Sequence, residues 1–313
     1  MKIAHWIRLG VLALIVWACQ SLYIIDAQMA KTNFSATVDE GVLENIEIDE
    51  ASGMVASHLN PELFWVVNDS QDLNRIFLID RYGTGKVEFL LQGAQNRDWE
   101  DLAYWYKSPT ESYIYIADTG DNKQEYSSYF IYRFKEFDIR GSNMVTRIIK
   151  KVEKLEFKLP EGSKDMECLL VDQLNGDMYL VSKQDDRKSL YRINANSFKN
   201  NRVVEADFVR KLNFSEPSSD LAILKQLYNI TAGDVATNNQ EVIIRNYLEV
   251  YYWKKGKHES LGETLKRPPK IVPSKLEPQG EALAFSQKAE GFYTISEVAS
   301  SPGPVHVYFT PKK

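Results

Sequence analysis

Ser52-Gly53-Met54-Val55-Ala56 runs through a short polar link into Phe64-Trp65-Val66-Val67 and closes on Asn68-Asp69-Ser70. A small or acidic start leads into an apolar strand, then a turn, then a β-branched or aromatic strand with a polar end. The phrase returns as Asp98-Trp99-Glu100-Asp101-Leu102-Ala103 with Tyr113-Ile114-Tyr115-Ile116 closing on Asp118-Thr119-Gly120-Asp121-Asn122. A third copy, Asp165-Met166-Glu167-Cys168-Leu169-Leu170, pairs with Met178-Tyr179-Leu180-Val181 and closes on Lys183-Gln184. The fourth, Thr231-Ala232-Gly233-Asp234-Val235-Ala236, pairs with Glu241-Val242-Ile243-Ile244 and closes on Arg245-Asn246. The fifth, Gln279-Gly280-Glu281-Ala282-Leu283-Ala284, pairs with Gly291-Phe292-Tyr293-Thr294-Ile295 and closes on Glu297. Strand units recurring every roughly 40 to 70 residues make an array, and for strands that array is a β-propeller.

Five copies predict an all-β chain forming one five-bladed propeller. A degenerate sixth blade within residues 196–230 or 254–278 is the alternative. Third strands follow each pair at Arg75–Ile79, Tyr129–Phe134, Leu190–Ile193, Val250–Trp253 and Val305–Phe309, and outer strands at Lys86–Leu91, Val152–Leu159 and Val203–Leu212. The alternating stretch Val42–Ile48 precedes the first full copy and is expected to close the ring as an outermost strand, which removes an open edge. Ser218–Tyr228 carries Leu221, Leu224 and Leu227 at helical spacing and reads as a short insertion. The basic, proline-containing stretch after Trp253 reads as a long exposed connection.

A blade's four strands run antiparallel from the axis outward. The loop entering the first strand and the loop leaving the second therefore share a face. Ser52 to Asn68, Glu167 to Lys183 and Glu281 to Glu297 are each 16 residues apart, so the polar entries and exits are expected to meet around one axis. The expected ligand-binding ring is Asn68, Asp69, Glu100, Glu167, Lys183, Arg245, Glu281 and Glu297. Within it, strand alternation points Asp101 away from the channel if Glu100 faces it.

The chain has 313 residues and a net charge of -5, which argues against a nucleic-acid partner. Lys2, His5 and Arg8 precede an apolar run from Leu9 to Ala18, a signal-peptide layout over residues 1–27 with cleavage after Ser21 or Ala27. Residues 28–313 then form the propeller, secreted, extracellular and without a membrane span. In a bacterium, lipidation at Cys19 is the alternative. The remaining cysteine, Cys168, has no partner for a disulfide and reads as a small buried hydrophobe. The sequons at Asn33, Asn213 and Asn229 are expected glycan acceptors in a eukaryote, whereas Asn68 lies in a site-face loop. The expected partner is an extracellular ligand bound by a monomer.

The second copy carries the strongest chemistry. Asp98, Glu100, Asp118, Asp121 and Asn122 offer hard oxygens from two loops of one blade, a set suited to Ca2+. The competing reading has these Asp and Asn side chains capping turns. Glu100, Glu167 and Glu281 share one register position, and three carboxylates about a narrow axis require a cation, a basic neighbour or retained protons; the alternative is a wide, wet channel in which each is solvated. No Gly-x-Ser-x-Gly elbow occurs, and His5, His58, His258 and His306 fall in the leader or at loop and outer-strand positions, which argues against histidine catalysis or zinc.

Ser52-Gly53, Asn68-Asp69-Ser70, Arg97-Asp98-Trp99-Glu100-Asp101-Leu102-Ala103, Asp118-Thr119-Gly120-Asp121-Asn122, Thr231-Ala232-Gly233-Asp234-Val235 and Pro278-Gln279-Gly280-Glu281-Ala282 together resemble a family of secreted or lipid-anchored β-propeller proteins common in bacteria. The chain is more distantly similar to phytase-like and gluconolactonase/paraoxonase-like propellers, and that resemblance implies calcium at the channel mouth. It departs from the phytase kind in having no clear phosphate-binding Lys/Arg set. The functional expectation is an exported binding protein with an acidic, calcium-binding face. The rivals are a calcium-dependent hydrolase of a phosphate ester or lactone and an extracellular matrix protein.

Overall fold

The structure is a computed structural model that describes residues 32–70, 72–108, 110–139, 147–184, 187–199, 202–214, 221–298 and 303–313. The leader, both candidate cleavage sites and Cys19 lie outside the described residues. After β1 (Val38–Val42) the chain builds blade one from β2 (Ala51–Ala56), β3 (Leu63–Asn68), β4 (Arg75–Asp80) and β5 (Gly85–Leu91). Blade two is β6 (Trp99–Ser108), β7 (Glu111–Asp118), β8 (Tyr129–Lys135) and β10 (Val152–Lys158), with β9 (Ile148–Ile149) crossing back to lie parallel to β5. Blade three is β11 (Met166–Val171), β12 (Met178–Ser182), β13 (Ser189–Ile193) and β15 (Asp207–Lys211), with β14 (Val204–Glu205) parallel to β10. Blade four is β16 (Ile230–Val235), β17 (Glu241–Asn246), β18 (Val250–Lys254) and β19 (Lys270–Val272). Blade five is β20 (Gly280–Phe285), β21 (Gly291–Ser296) and β22 (His306–Pro311), completed by β1.

The fold is therefore a five-bladed β-propeller, nearly all β. The inner and second strands read as near-continuous apolar runs because each blade is covered on both faces. Five apolar clusters fill the five gaps between blades. Trp65, Leu78 and Phe89 meet Leu102, Ile114 and Phe134 between blades one and two. Phe64, Val66 and Phe77 meet Ala282, Tyr293 and Ile295 between blades one and five.

The elements around the ring differ from expectation in detail. The closing strand is Val38–Val42, paired with β22 from Val38↔Phe309 to Val42↔His306, not Val42–Ile48. Leu43 and Ile48 are buried, but a turn in which the Ile48 N–H bonds the Asn45 carbonyl at 3.1 Å brings them to the core. Ile46 is left exposed at the tip of that turn. The Val203–Leu212 segment is split, Val204 and Glu205 pairing with blade two and Asp207–Lys211 with blade three. The stretch after Trp253 is exposed along Lys254, Lys257, Arg267 and Pro268, as expected, but it is also anchored. Leu261 and Leu265 are buried against blades three and four, Trp253 donates to the Arg267 carbonyl at 2.8 Å, and buried Lys255 lies 3.5 Å from buried Asp172.

The axis is filled. Each inner strand has an edge with no strand beyond it, and its buried N–H groups need acceptors. Asp101 supplies them. Its Oδ1 accepts from the Leu102 N–H at 2.8 Å, and its Oδ2 from Leu169 at 2.8 Å and Gly233 at 3.2 Å. Blades two and four are not neighbours, so the last bond crosses the axis and Asp101 points into it, contrary to strict alternation. Gly53 permits this approach, since a Cβ there would lie 2.7 Å from the Leu102 nitrogen. Asp234 does the same for Val235 and Phe285, at 2.7 and 2.8 Å. At the end remote from the blade entries, Gln173 bonds the Tyr104 carbonyl, Gln287 that of His58, and Thr237 that of Gln287, at 2.5, 2.6 and 2.9 Å.

Replacing an acceptor that serves three N–H groups by a carboxamide turns an NH2 group toward a donor. Asp101→Asn is therefore expected to lower stability by about 2–3 kcal/mol. Urea unfolding measures it, and an unchanged midpoint would remove Asp101 from this role.

Candidate site at the channel mouth

One irregularity repeats in every blade and builds the site. Where the inner strand pairs with the second strand, the register slips by one residue at the mouth: Ala51↔Asn68 then Gly53↔Val67, Trp99↔Asp118 then Asp101↔Ala117, Met166↔Ser182 then Cys168↔Val181. Blades four and five slip between Ile230 and Ala232 and between Gly280 and Ala282. The extra residue of each bulge is Ser52, Glu100, Glu167, Thr231 or Glu281. A bulge re-aims its side chain and stops the pairing. It also explains why Glu100 and Asp101, adjacent in sequence, both reach the axial region.

Two further rings flank the bulges. Two residues upstream stand Glu50, Asp98, Asp165, Asn229 and Gln279. Just beyond the second strand stand Asp69, Thr119, Lys183, Tyr247 and Glu297. In four blades the exit N–H bonds the upstream carbonyl: Asp69 to Glu50 at 2.9 Å, Thr119 to Asp98 at 3.1 Å, Lys183 to Asp165 at 2.9 Å and Glu297 to Gln279 at 3.0 Å. The five copies thus place equivalent residues at equivalent points, while their chemistry differs around the ring.

Acids converge where blades one, two and three meet. Carboxylate oxygens of Asp69, Asp98 and Glu100 lie within 4.8 Å of one another, as do those of Glu100, Asp165 and Glu167. Glu100 belongs to both groups. Gly120 makes room for them, because a Cβ there would collide with the carboxyl groups of Glu100 and Asp98. Lys183 pairs with Glu167 and lies 4.0 Å from Asp165. Even so, Glu100 Oε1 and Glu167 Oε2 are buried without a hydrogen-bond partner.

The electrostatics follow. Burial, then Glu167 and Asp69, push the Glu100 carboxyl well above the usual carboxylate range. Glu167 is raised well above it by burial, against the pull of Lys183. Asp98 rises to about 7 through burial and neighbouring Asp69. Burial opposes the charge on Lys183, but Glu167 and Glu100 outweigh it and hold the ammonium. In blade five, burial and Glu281 push Glu297 up to about 9. Glu281 accepts from the Tyr247 hydroxyl at 2.8 Å, and Gln279 donates to Glu297.

Of the expected ring, Asp69, Glu100, Glu167, Lys183, Glu281 and Glu297 face the mouth. Asn68 does not; its Nδ2 ties down the Glu47 carbonyl at 2.7 Å and Asp72 at 3.1 Å. Arg245 is buried, 3.1 Å from Glu277 and 3.2 Å from the Ala282 carbonyl. Of the expected metal set, Asp98 and Glu100 enter the acidic groups. Asp118 instead caps the entry to β6, accepting from Arg97 and Asp98 N–H at 3.2 and 2.8 Å. Asp121 caps its own turn through Glu125 and Tyr126 N–H and accepts from Tyr129. Asn122 lies outside the acid groups, bonded to Gln184 at 3.1 Å. Cys168 is buried and unpaired. Asn33 and Asn213 are exposed, whereas Asn229 is half-buried at the mouth. Asp165 was missed as a site residue, although it holds the same place as Asp98 two residues before a bulged glutamate.

On the side of blades three to five the mouth opens into a cleft of about 770 Å³, lined among others by Lys183, Gln184, Tyr247, Leu276 and Gln279. Among the described residues no helix is long and apolar enough to cross a membrane.

No protein-family model matches the chain, and no curated protein matches it. Among solved structures it is similar to a gluconolactonase from Xanthomonas campestris, with 9% identity and a TM-score of 0.40 over 80% of this chain and 69% of that one. Similarity at that level carries no functional argument.

The raised carboxyls set a pH dependence. Asp98 moves from 3.8 to about 7 and Glu297 from 4.5 to about 9, so between those limits the folded chain holds protons that the unfolded chain releases. Their contribution is full below about pH 4 and is lost as pH rises through 7 to 9. In chelator the melting temperature is expected to fall over that window. A flat profile would contradict the burial of these groups as charged neighbours.

Proposed function

We propose that the chain is an exported binding propeller that holds calcium at the channel mouth through Asp69, Asp98, Glu100, Asp165 and Glu167 and presents it to a ligand. The observation that carries this reading is the pair of buried, unpartnered oxygens, Glu100 Oε1 and Glu167 Oε2, inside two converging acid groups that one lysine cannot neutralise. A divalent cation meets both needs at once. An all-oxygen donor set without His or Cys suits a hard ion, and the number of carboxylates suits calcium, which takes six to eight oxygens. The leader layout supports export.

A second reading, a calcium-dependent hydrolase of a lactone or phosphate ester, is favoured by Glu297. A carboxyl that retains its proton near neutral pH can act as a general acid. Turnover of lactone and phosphoester panels with and without calcium separates the two readings.

An ion that binds only the folded state stabilises by RT ln(1 + [L]/Kd), about 2.7 kcal/mol at a hundredfold excess over Kd. Millimolar calcium is therefore expected to raise the melting temperature by several degrees relative to chelator. Glu100→Gln keeps the shape and removes one charge, so it should abolish that shift while raising stability in chelator. A calcium shift that survives in Glu100→Gln, or none in the parent, would overturn the assignment.

A further inference from the structure

The mouth is chemically divided. Blades one to three present acids, while the cleft beside them presents side chains of another kind. Asn122, Gln184, Gln226, Asn229 and Gln279 contribute carboxamides, and Leu227, Leu248, Leu276 and Pro278 an aliphatic wall. Its two charged residues are already neutralised: Lys183 by Glu167, and buried Glu277 by Arg245. The lining therefore offers no net charge to a ligand. Its volume falls within the range of small-molecule sites, which combine apolar walls with a few placed polar groups.

The amides are partly committed, and what remains indicates the ligand. Gln184 spends its NH2 group on Asn122 Oδ1 at 3.1 Å and on Asp165 Oδ2 at 3.0 Å, leaving its own oxygen. Gln279 gives its NH2 group to Glu297 and likewise retains an oxygen. Asn122 accepts through its oxygen and retains its NH2 group. Acceptors and a donor thus stand side by side, which matches a group that both donates and accepts. The Gln184–Asp165 bond joins the cleft to the acidic groups.

We propose that this cleft binds a small, uncharged ligand that joins an aliphatic chain to carboxamide groups. The ligand's amides would pair with Gln184, Gln279 and Asn122, and its chain would lie against Leu227, Leu248 and Leu276. A polyol would leave the aliphatic wall in contact with hydroxyls, and a carboxylate would lose hydration beside Asp165 and Glu297, which Gln184 and Gln279 bond, without gaining a free counter-charge. The assignment rests on the calcium-binding reading only for which mouth residues surround it. The cleft itself exists without the ion.

The test uses saturation-transfer NMR on the purified protein with three probes at millimolar concentration: N-acetyl-leucinamide, N-acetyl-leucine and glucose. The proposal expects transfer to the leucyl methyls of the amide, at least tenfold weaker affinity for the carboxylate, and none for glucose. Leu276 is 66% exposed, so Leu276→Asp leaves the core intact and should weaken the amide at least tenfold without changing the calcium-induced melting shift. Equal response to all three probes, no transfer from the amide, or an unaltered Leu276→Asp variant would overturn the proposal. Amide binding without any calcium shift would keep the cleft and remove the metal reading; a calcium shift without amide binding would do the reverse.

Discussion

The mouth of this propeller depends on an imbalance of charge held in place by backbone geometry. Glu100 and Glu167 are 2% and 1% exposed, their groups include Asp69, Asp98 and Asp165, and Lys183 is the cation set among them. Each carboxylate loses hydration on burial and then meets another of the same sign. Asp101 and the Gln173, Gln287 and Thr237 bonds close the channel below, so these groups are not open to water from that end. The chain without an ion must retain protons there, and the chain with one need not. Proton and cation are alternative solutions to the same constraint.

The bulge makes the imbalance possible. In a regular strand, alternation would send every second side chain into a blade interface, and Glu100 and Asp101 would point in opposite directions. One extra residue per inner strand frees both. Asp101 serves the N–H groups of three inner strands, and Glu100 is left to the mouth. The five bulges do not all carry acids. Ser52 donates its hydroxyl to the Trp99 carbonyl at 2.9 Å, and Thr231 donates to that of Gly280 at 3.4 Å. The same backbone device thus staples blades together in two positions and supplies carboxylates in three.

The blades were legible in the sequence because the phrase repeats with its apolar runs intact and its polar ends in register. The convergence of Glu100, Glu167, Lys183, Glu281 and Glu297 followed from the shared spacing of entry and exit. Other features were hidden for physical reasons. Asp121 has the composition of a metal loop, but its oxygens are committed to two backbone N–H groups and to Tyr129, which composition cannot reveal. Arg245 ends its strand as a site residue would, yet its partner Glu277 lies 32 residues on, outside the repeated phrase. The closing strand was misplaced because Val42, Ile46 and Ile48 stand at alternating positions, although only Ile48 of the three is buried. Asp165 stood at the head of its phrase, and reading the ring two residues upstream of each glutamate would have found it.

Equilibrium dialysis against radiolabelled calcium tests the central claim most directly, because it counts ions and does not depend on stability. The account predicts one calcium per chain, lost on replacing Asp165 with Asn and retained on replacing Asp121 with Asn. Retention of the ion in the Asp165 variant with its loss in the Asp121 variant would place the metal in the turn after β7. The bulged mouth would then not be the cation site.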